Sequence, residues 1–244
     1  MSQARPEELL AATLAAQIPD VRHIAVGAAS PIPAAAALLH QARSRERVHV
    51  TILHSRRHNS FTDGGRELFD AAAQGRIDVF FLGGVQIDGE ANINLVGLGD
   101  YPNLTQRFPG SFGAPYMAFT VPNVILFREE HSPRTLVKKV DFVSAPGWSP
   151  EGVWRRGGAK ALVTGLAVMA FDASRRRFRL VSAHPGRTAD EVRAATGFDF
   201  DVAEHVPATP VPGADTLGLL RGEIAAKLRE FYPDFAARVF PVPA

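Results

Sequence analysis

The chain has 244 residues, of which 46% are apolar and 21% charged, and its formal net charge is +2. This composition is typical of a folded globular protein and excludes wholesale disorder, and the net charge is too small to indicate a nucleic-acid-binding surface. Because the chain has no cysteine, a disulfide scaffold, a thiolate nucleophile and a cysteine-ligated metal site are also excluded.

Targeting and membrane signals are absent from the sequence. No run reaches the roughly 18 apolar residues of a membrane-spanning helix. The first 17 residues carry Glu7 and Glu8 and no basic region, unlike a secretory signal. We therefore expect a cytoplasmic protein that does not bind membranes.

The first third of the chain alternates between helical and extended patterns. Apolar periodicity, helix-starting prolines and closing glycines predict helices over 6–17, 31–41 and 66–74 and strands over 21–29, 48–53 and 77–82. Strands that alternate with helices at these spacings are typical of an α/β fold. We expect an open, mainly parallel sheet flanked by helices.

The rest of the chain predicts a β-rich addition to that sheet. Strand candidates are 121–127, 140–143, 161–170 and 179–182, and the arginine-rich run 175–179 is interpreted as a solvated hairpin turn. A short helix is predicted over 190–196 and a longer one over 215–231, with a proline-rich linker over 207–214 between them. One domain over 1–244 is the preferred organisation.

Two glycine-rich segments are candidates for a ligand site. Gly83 and Gly84 directly follow a predicted buried strand, and ligands bind at the carboxyl ends of parallel strands. Glycines there allow close approach to the backbone and expose amide donors, although a turn without a ligand explains them equally well. The second segment, 110–115, lacks the signatures of a phosphate loop or a dinucleotide site, but one of its amides could face a developing oxyanion.

The histidines do not predict a metal site. His54 and His58 are four residues apart but lie in a loop after a strand, without an acidic partner at zinc-site spacing. A segment over 89–94 is interpreted as a turn followed by a short strand, whose asparagines, Asn92 among them, stabilise turns or contact a substrate. A cluster of apolar residues either packs internally or contacts a partner: Phe108, Phe112, Tyr116, Met117 and Phe119.

Three segments in order, FFLGGVQIDGEANINLVGLGDYPNLTQRFPGSFGAPYM (80–117), KKVDFVSAPGW (138–148) and AHPGRTADEVRAATGFDFDV (183–202), carry a family resemblance. Together they resemble the B subunit of family I CoA-transferases, nearest glutaconate CoA-transferase, and also the B subunits of steroid-ring-opening CoA-ester hydrolases. The likeness extends from about residue 7 to about residue 230. It implies a fold shared with sugar-phosphate isomerases, a homologous A subunit as partner, and coenzyme A as a substrate rather than a permanently bound cofactor.

The resemblance also implies site residues. In the family, a B-subunit glutamate attacks the thioester to give an acyl-glutamyl anhydride and then an enzyme–CoA thioester, while turn amides stabilise the oxyanion. Carried over by position, the oxyanion turn is Gly113 and Ala114. The segment lining the CoA site is Gly83, Gly84 and Gln86, and Ser55 and Asn92 are further substrate-binding candidates.

The sequence departs from the family at the nucleophile. The second strand and its end are Val-Thr-Ile-Leu-His-Ser, so His54 occupies the glutamate position or lies one residue from it. A histidine cannot form the same anhydride, but it could act as a general base on water or form a transient acyl-imidazole.

Several functions follow from this departure. One is hydrolysis of a thioester or a carbon–carbon bond with a glutamate of the A subunit. Others are CoA transfer with a carboxylate from elsewhere, and a catalytically silent partner of an active A subunit. A non-enzymatic alternative is a sugar-phosphate sensor domain, although no helix-turn-helix segment is visible in the first 20 residues.

Overall fold

The computed structural model describes residues 4–44 and 47–240. Its strands are β1 (His23–Val26), β2 (His49–Ile52), β3 (Val79–Leu82), β4 (Gln86–Ile87), β5 (Ile93–Asn94), β6 (Gly97–Leu98), β7 (Gln106–Arg107), β8 (Asn123–Arg128), β9 (Ala159–Thr164), β10 (Ala167–Asp172) and β11 (Arg177–Ala183). Its helices are α1 (Pro6–Ala16), α2 (Pro31–Arg43), α3 (Gly64–Ala73), α4 (Ala114–Thr120), α5 (Ala189–Ala194), α6 (Ala214–Leu219), α7 (Ala225–Phe231) and α8 (Pro233–Val239), with a π-helical turn (Leu220–Ile224) between α6 and α7.

Seven strands form one sheet in the order β2-β1-β3-β8-β9-β10-β11. The first five are parallel to one another, and β10 and β11 extend the sheet beyond β9 as antiparallel strands. Two further pairs, β4–β5 and β6–β7, form small antiparallel ribbons outside the sheet. The prediction of a mainly parallel sheet with a β-rich addition is therefore confirmed.

Helices cover both faces of the sheet. Successive strand side chains point to opposite faces, so Ile24 and Val26 of β1 pack with α1, α2 and the C-terminal helices, whereas Ala25 packs with α3 and α4 on the other face. Helix α2 is buried along 34–39, as expected for an alanine- and leucine-rich helix lying on a sheet. With both faces covered, the open position for a ligand is at the strand ends.

Local sequence signals account for where the helices begin. Helix α1 starts with Pro6, and the carboxylate of Glu8 accepts a hydrogen bond from the Arg5 amide at 2.8 Å. Helix α5 has a capping box in which Thr188 and Glu191 each accept from the other's amide. These contacts satisfy amides that the helix itself leaves unpaired.

The prediction of a strand over 140–143 is wrong. The segment is irregular, and the isolated bridges that pair Leu136 with β4 and Ala145 with β5 lie on either side of it. The Asp141 amide donates to the side chain of Gln86 at 2.9 Å instead of to a neighbouring strand. The side chains of Asp88 and Gln86 thus accept amides of this segment, in place of the strand-to-strand hydrogen bonds that its apolar residues predicted.

The single strand predicted over 161–170 is two strands, β9 and β10, which turn at Gly165 and Leu166. A side chain at Gly165 would place its Cβ 2.3 Å from the Glu129 carbonyl oxygen, so only glycine fits where this turn passes β8. Because apolar residues continue on both sides of Gly165, the segment resembled a single strand in sequence.

The helical predictions hold with three differences. The glycine-rich turn leads at Ala114 into a helix, α4, that was not predicted. The C-terminal helix α8 was not predicted either, and a π-helical turn interrupts the predicted helix over 215–231. The proline-rich linker is extended but is hydrogen-bonded to β11, because Ala183 donates to the Pro207 carbonyl and accepts from Thr209. The single-domain organisation stays a prediction, and residues 1–3, 45, 46 and 241–244 of that range lie outside the described residues.

Candidate functional site

A cleft of about 490 Å³ opens at the carboxyl ends of the parallel strands. Its walls come from the ends of β1, β2, β3 and β8, from α3, and from the segment that leads into α4. The lining includes Gly27, Ser30, Leu53, Phe69, Gly83, Gly84, the residues 110–114 and Arg128. This is the edge of a parallel sheet at which ligands bind.

The two predicted glycine segments meet in this cleft. Gly83 and Gly84 line it together with Gly113 and Ala114, although about 30 residues separate the two segments in sequence. Gly83 is also needed for packing, since a Cβ there would lie 2.6 Å from the Phe127 carbonyl oxygen. The binding and packing interpretations of these glycines are thus compatible.

The two amides predicted to stabilise an oxyanion differ in their partners. The Ala114 amide donates to the Ser111 carbonyl oxygen at 2.8 Å. The Gly113 amide has no hydrogen-bond partner among the described residues, which leaves it available to a ligand. Gly113 also lies against Phe69, because a Cβ at Gly113 would stand 2.1 Å from that ring.

His54 lies at the end of β2 but outside the cleft lining. Its ring is exposed and stacks on Tyr232, with ring centroids 5.3 Å apart and planes inclined by 8°. The Tyr232 hydroxyl accepts a hydrogen bond from the Ser30 amide at 3.0 Å, and burial raises the pKa of this hydroxyl. Leu53, the residue before His54, is the one from this strand end that lines the cleft.

Three further candidates are engaged by protein groups. The Ser55 hydroxyl accepts from the amides of Arg57 and His58 and shapes the turn after β2. The Gln86 side chain accepts from Asn94 and from the Asp141 amide.

The third, Asn92, donates to Asp88 and accepts from the Gly147 amide. None of the three lines the cleft that Gly83, Gly84 and Gly113 line. Their substrate-binding role stays a prediction.

Aromatic residues form one wall of the cleft. The ring of Phe69 lies 5.5 Å from that of Phe112 and 5.5 Å from that of Tyr116. Phe112 is 81% exposed and has a positive φ of 43°, a conformation that costs a bulky residue free energy. Met117 is buried, so the apolar cluster predicted from sequence divides into core and exposed members.

Sequence reasoning missed Ser30 and Arg128 as cleft residues. Ser30 follows β1, and its position after a buried strand could have indicated it by the same rule that indicated Gly83. Arg128 ends β8 and lies in both the main cleft and an adjoining pocket. Since Arg128 directly follows the strand predicted over 121–127, the same rule could have indicated it.

Acidic groups are absent from the lining of the main cleft, as far as the described residues go. Glu129, which is exposed, lines the adjoining pocket of about 240 Å³. Within 4–44 and 47–240, no group of histidine, aspartate or glutamate side chains could hold a metal ion. No helix in these ranges has the length and apolar character to cross a membrane.

Known proteins resemble this chain in sequence. A family model for coenzyme A transferase matches residues 51–195, a range that includes both glycine segments. The B subunit of 3-oxoadipate CoA-transferase from Pseudomonas knackmussii is 37% identical over 60% of this chain and 58% of that protein. The B subunit of glutaconate CoA-transferase from Acidaminococcus fermentans is 35% identical over 60% of this chain and 56% of that protein.

A relative with another activity matches over a similar range. The cholesterol ring-cleaving hydrolase IpdB subunit of Rhodococcus jostii is 32% identical over 64% of this chain and 62% of that protein. The matched part thus spans less than two thirds of the length of these relatives.

Solved structures extend the likeness to nearly the whole chain. The glutaconate coenzyme A-transferase of Acidaminococcus fermentans superimposes with a TM-score of 0.80 at 24% identity over 98% of both chains, which shows the fold. The IpdAB structure of Rhodococcus jostii gives a TM-score of 0.78 at 25% identity over 94% of this chain and 99% of that one. Since the family model covers more than half of the chain, this protein belongs to the coenzyme A transferase family.

Proposed function

We propose that this chain is the B subunit of a heteromeric enzyme that acts on acyl-CoA thioesters, with coenzyme A as a substrate and no permanently bound cofactor. The observation that carries the proposal is the convergence of Gly83, Gly84 and Gly113 on one cleft at the carboxyl ends of the strands. The CoA-transferase names of the relatives support the substrate class.

The Gly113 amide is the proposed oxyanion donor. A thioester carbonyl placed against this turn would develop negative charge on its oxygen when a nucleophile attacks, and a fixed amide stabilises that charge without reorganising. Ala114 would contribute as a second donor only by exchanging its bond to Ser111. Gly83 and Gly84 would let the substrate approach the backbone.

The nucleophile in this proposal comes from outside the cleft of this chain. No carboxylate among the described residues lines the main cleft, and the imidazole of His54 stacks on Tyr232. Ping-pong transfer through an acyl-glutamyl anhydride needs a carboxylate at the thioester. We therefore favour hydrolysis supported by a glutamate of the A subunit, with His54 as a candidate general base at the rim.

The proposed partner is a homologous A subunit. Sequence relatives are named as B subunits, and one solved relative is the two-subunit IpdAB. The exposed rings of Phe112 and Tyr116 beside the cleft would be covered by such a partner. Location in the cytoplasm stays part of this proposal.

The test is a product analysis on the chain co-purified with an A subunit. Acyl-CoA thioesters are incubated in ¹⁸O-labelled water, with and without an acceptor acid, and products are identified by mass spectrometry. We expect labelled free acid or a ring-opened product without any acceptor. His54→Ala reduces the rate about 100-fold or more if the imidazole is the base, and leaves it nearly unchanged if the ring only stacks on Tyr232.

A different result would establish transfer. CoA exchange that needs an acceptor, with an acyl adduct trapped by borohydride on this chain, would contradict the hydrolytic proposal. Glu129→Gln tests whether the carboxylate that carries such an adduct is that of Glu129, which lines the pocket adjoining the cleft. Binding of sugar phosphates without turnover of any thioester would favour the sensor alternative.

A further inference from the structure

A second cavity, here called the linker cavity, lies between helix α1 and the proline-rich linker over 207–213. Its volume is about 490 Å³, the same as that of the main cleft and within the roughly 300–1,000 Å³ of ordinary small-molecule sites. The second half of α1 and the linker form its walls, and β10 and β11 form its floor. Among the residues that the structure describes, the two cavities share no lining residue, so the linker cavity is separate from the candidate functional site.

The linker wall is held in place before any ligand binds. Its three prolines restrict the backbone, and Ala183 of β11 donates to the Pro207 carbonyl oxygen at 3.1 Å and accepts from the Thr209 amide at 2.7 Å. A preformed cavity loses little conformational freedom when a ligand binds. Val211 lines the cavity and is 58% exposed, so an apolar ligand would remove this side chain from water.

A buried hydroxyl without a partner also lines the linker cavity. Thr13 of α1 is 5% exposed, and its Oγ1 has no hydrogen-bond partner among the described residues. A threonine in a helix can donate to a carbonyl of the preceding turn, so this hydroxyl departs from the usual arrangement. Because an unpaired buried hydroxyl costs free energy, a ligand oxygen that bonds to Thr13 would recover that cost.

Two further hydroxyls of the cavity are committed to protein acceptors. Nε2 of His184 donates to the Thr164 carbonyl oxygen at 2.8 Å, and burial lowers the pKa of His184, which favours the neutral ring. Nδ1 then accepts from the Thr209 hydroxyl at 2.9 Å, and Thr209 accepts in turn from the Ser182 hydroxyl at 2.8 Å. These two hydroxyls therefore have no proton left to donate to an anionic ligand.

Arg43, at the end of α2, supplies positive charge to the linker cavity. Its Nη2 donates to the Thr216 hydroxyl, and it forms no ion pair with a carboxylate among the described residues. No aspartate or glutamate in the described ranges lines the cavity. An apolar cavity with a cation at its mouth and no counter-ion favours a ligand that combines an apolar body with a negative charge.

We propose that the linker cavity binds an apolar monocarboxylic acid of medium chain length. The carboxylate would bind the guanidinium of Arg43 and accept from the Thr13 hydroxyl, while the hydrocarbon chain would lie against Val211 and the linker. A guanidinium suits this role because its N–H groups can donate two parallel hydrogen bonds to one carboxylate. This site goes beyond the proposed function and does not depend on it.

The experiment compares octanoate with octanamide, which has the same chain and no charge. Binding is measured by calorimetry on the purified full chain, alone and in complex with any A subunit that co-purifies. We expect wild type to bind octanoate about 3- to 10-fold more tightly than octanamide, and Arg43→Gln to abolish this preference. Thr13→Val, which removes the hydroxyl with little change of shape, should weaken octanoate binding by about 3- to 10-fold.

Arg47→Gln is the matched control, because Arg47 is exposed and does not line the cavity, and it should bind octanoate as wild type does. Ala16→Phe should block both ligands, since Ala16 lines the cavity at an exposed position of α1 where a larger side chain is compatible with folding. Thermal unfolding checks that each variant is folded.

Four outcomes overturn the inference. They are no binding of octanoate by wild type, equal affinity of wild type for both ligands, and unchanged octanoate affinity in Arg43→Gln or Thr13→Val. The last is octanoate binding that survives Ala16→Phe, which would assign the ligand to another site such as the main cleft. Octanoate binding that is present in the chain alone and lost in the complex also overturns it and assigns this face to the partner subunit.

Discussion

Gly113 combines two requirements in one residue. Its amide is unpartnered among the described residues, and its Cα faces the ring of Phe69 so closely that a methyl group would stand 2.1 Å from a ring carbon. A side chain there must displace either the ring or the turn, and either movement shifts the proposed oxyanion donor.

We expect Gly113→Ala to lower the free energy of unfolding by about 1–3 kcal/mol through overpacking and to reduce kcat more than it raises KM. Thermal unfolding and steady-state kinetics measure the two effects. The double variant Gly113→Ala with Phe69→Ala should relieve the clash and recover part of kcat. Gly218→Ala, in helix α6 with open space around it, should stabilise the protein slightly; a similar loss in both single variants would contradict the packing argument.

At the residue scale, the sequence predicted which residues line the cleft better than it predicted their hydrogen-bond and stacking partners. The glycines Gly83, Gly84 and Gly113, which share the cleft, could be selected as candidates because strand ends and glycine-rich turns can be recognised in a single sequence. It could not reveal that Ser111 occupies the Ala114 amide or that Tyr232 takes up the face of His54, since both contacts depend on how the chain closes.

At the element scale, predictions succeeded where a pattern is local. The parallel strands β1, β2 and β3 and the helices between them were predicted close to their actual bounds. The strand predicted over 140–143 failed because the side chains of Gln86 and Asp88, about 50 residues earlier, accept its backbone amides. The turn between β9 and β10 was not predicted, because its need for glycine comes from the Glu129 carbonyl, just after β8 and more than 30 residues earlier in the sequence.

A histidine joins α5 to the sheet. His131 lies 2.6 Å from the Thr164 hydroxyl through Nδ1 and 2.8 Å from the Thr196 hydroxyl through Nε2. The Thr196 hydroxyl donates to the Val192 carbonyl and therefore accepts from Nε2, whereas the Thr164 hydroxyl lies within hydrogen-bond distance of both Nδ1 and the Ala167 carbonyl. Burial lowers the pKa of His131 to about 4, which favours the neutral ring.

The stability of the protein should therefore depend on pH below neutrality. An unfolded histidine has a pKa near 6.5, so between about pH 6.5 and pH 4 the unfolded chain binds a proton that folded His131 does not. We expect the free energy of unfolding to fall as the pH falls through this window, by at most about 1.4 kcal/mol per pH unit for this group. Urea unfolding at pH 7 and pH 5 measures the change.

His131→Gln should make the pH dependence shallower, whereas the exposed His205→Gln should leave it as in wild type. The same slope in His131→Gln and wild type would show that other groups carry the acid sensitivity.

At the scale of the whole molecule, an ion pair joins the two ends of the described chain. The fully buried carboxylate of Glu8 in α1 accepts from Nε and Nη2 of Arg221 at 2.6 and 2.8 Å. Burial would raise the pKa of Glu8, but the hydrogen bonds from Arg221 and the Arg5 amide outweigh it and lower the pKa. Arg221 lies in the π-helical turn, so this turn carries the contact.

The two single substitutions should differ in cost. Arg221→Gln leaves a buried carboxylate without its cation and should lower the free energy of unfolding by about 3–5 kcal/mol. Glu8→Gln leaves a guanidinium that is partly exposed, so about 1–3 kcal/mol is expected. Chemical denaturation measures both, and Lys227→Gln, from a more exposed helical pair, should cost under about 1 kcal/mol. Equal costs at Glu8 and Arg221 would contradict the burial argument.

The hydrogen bond from the Ser30 amide to Tyr232 has a consequence for dynamics. Ser30 belongs to a loop whose amide would ordinarily exchange with deuterium quickly, yet its acceptor is held by the junction of α7 and α8. Exchange at this one amide is thereby tied to the undocking of the last helices, which makes it a probe of how often the rim beside β1 loosens.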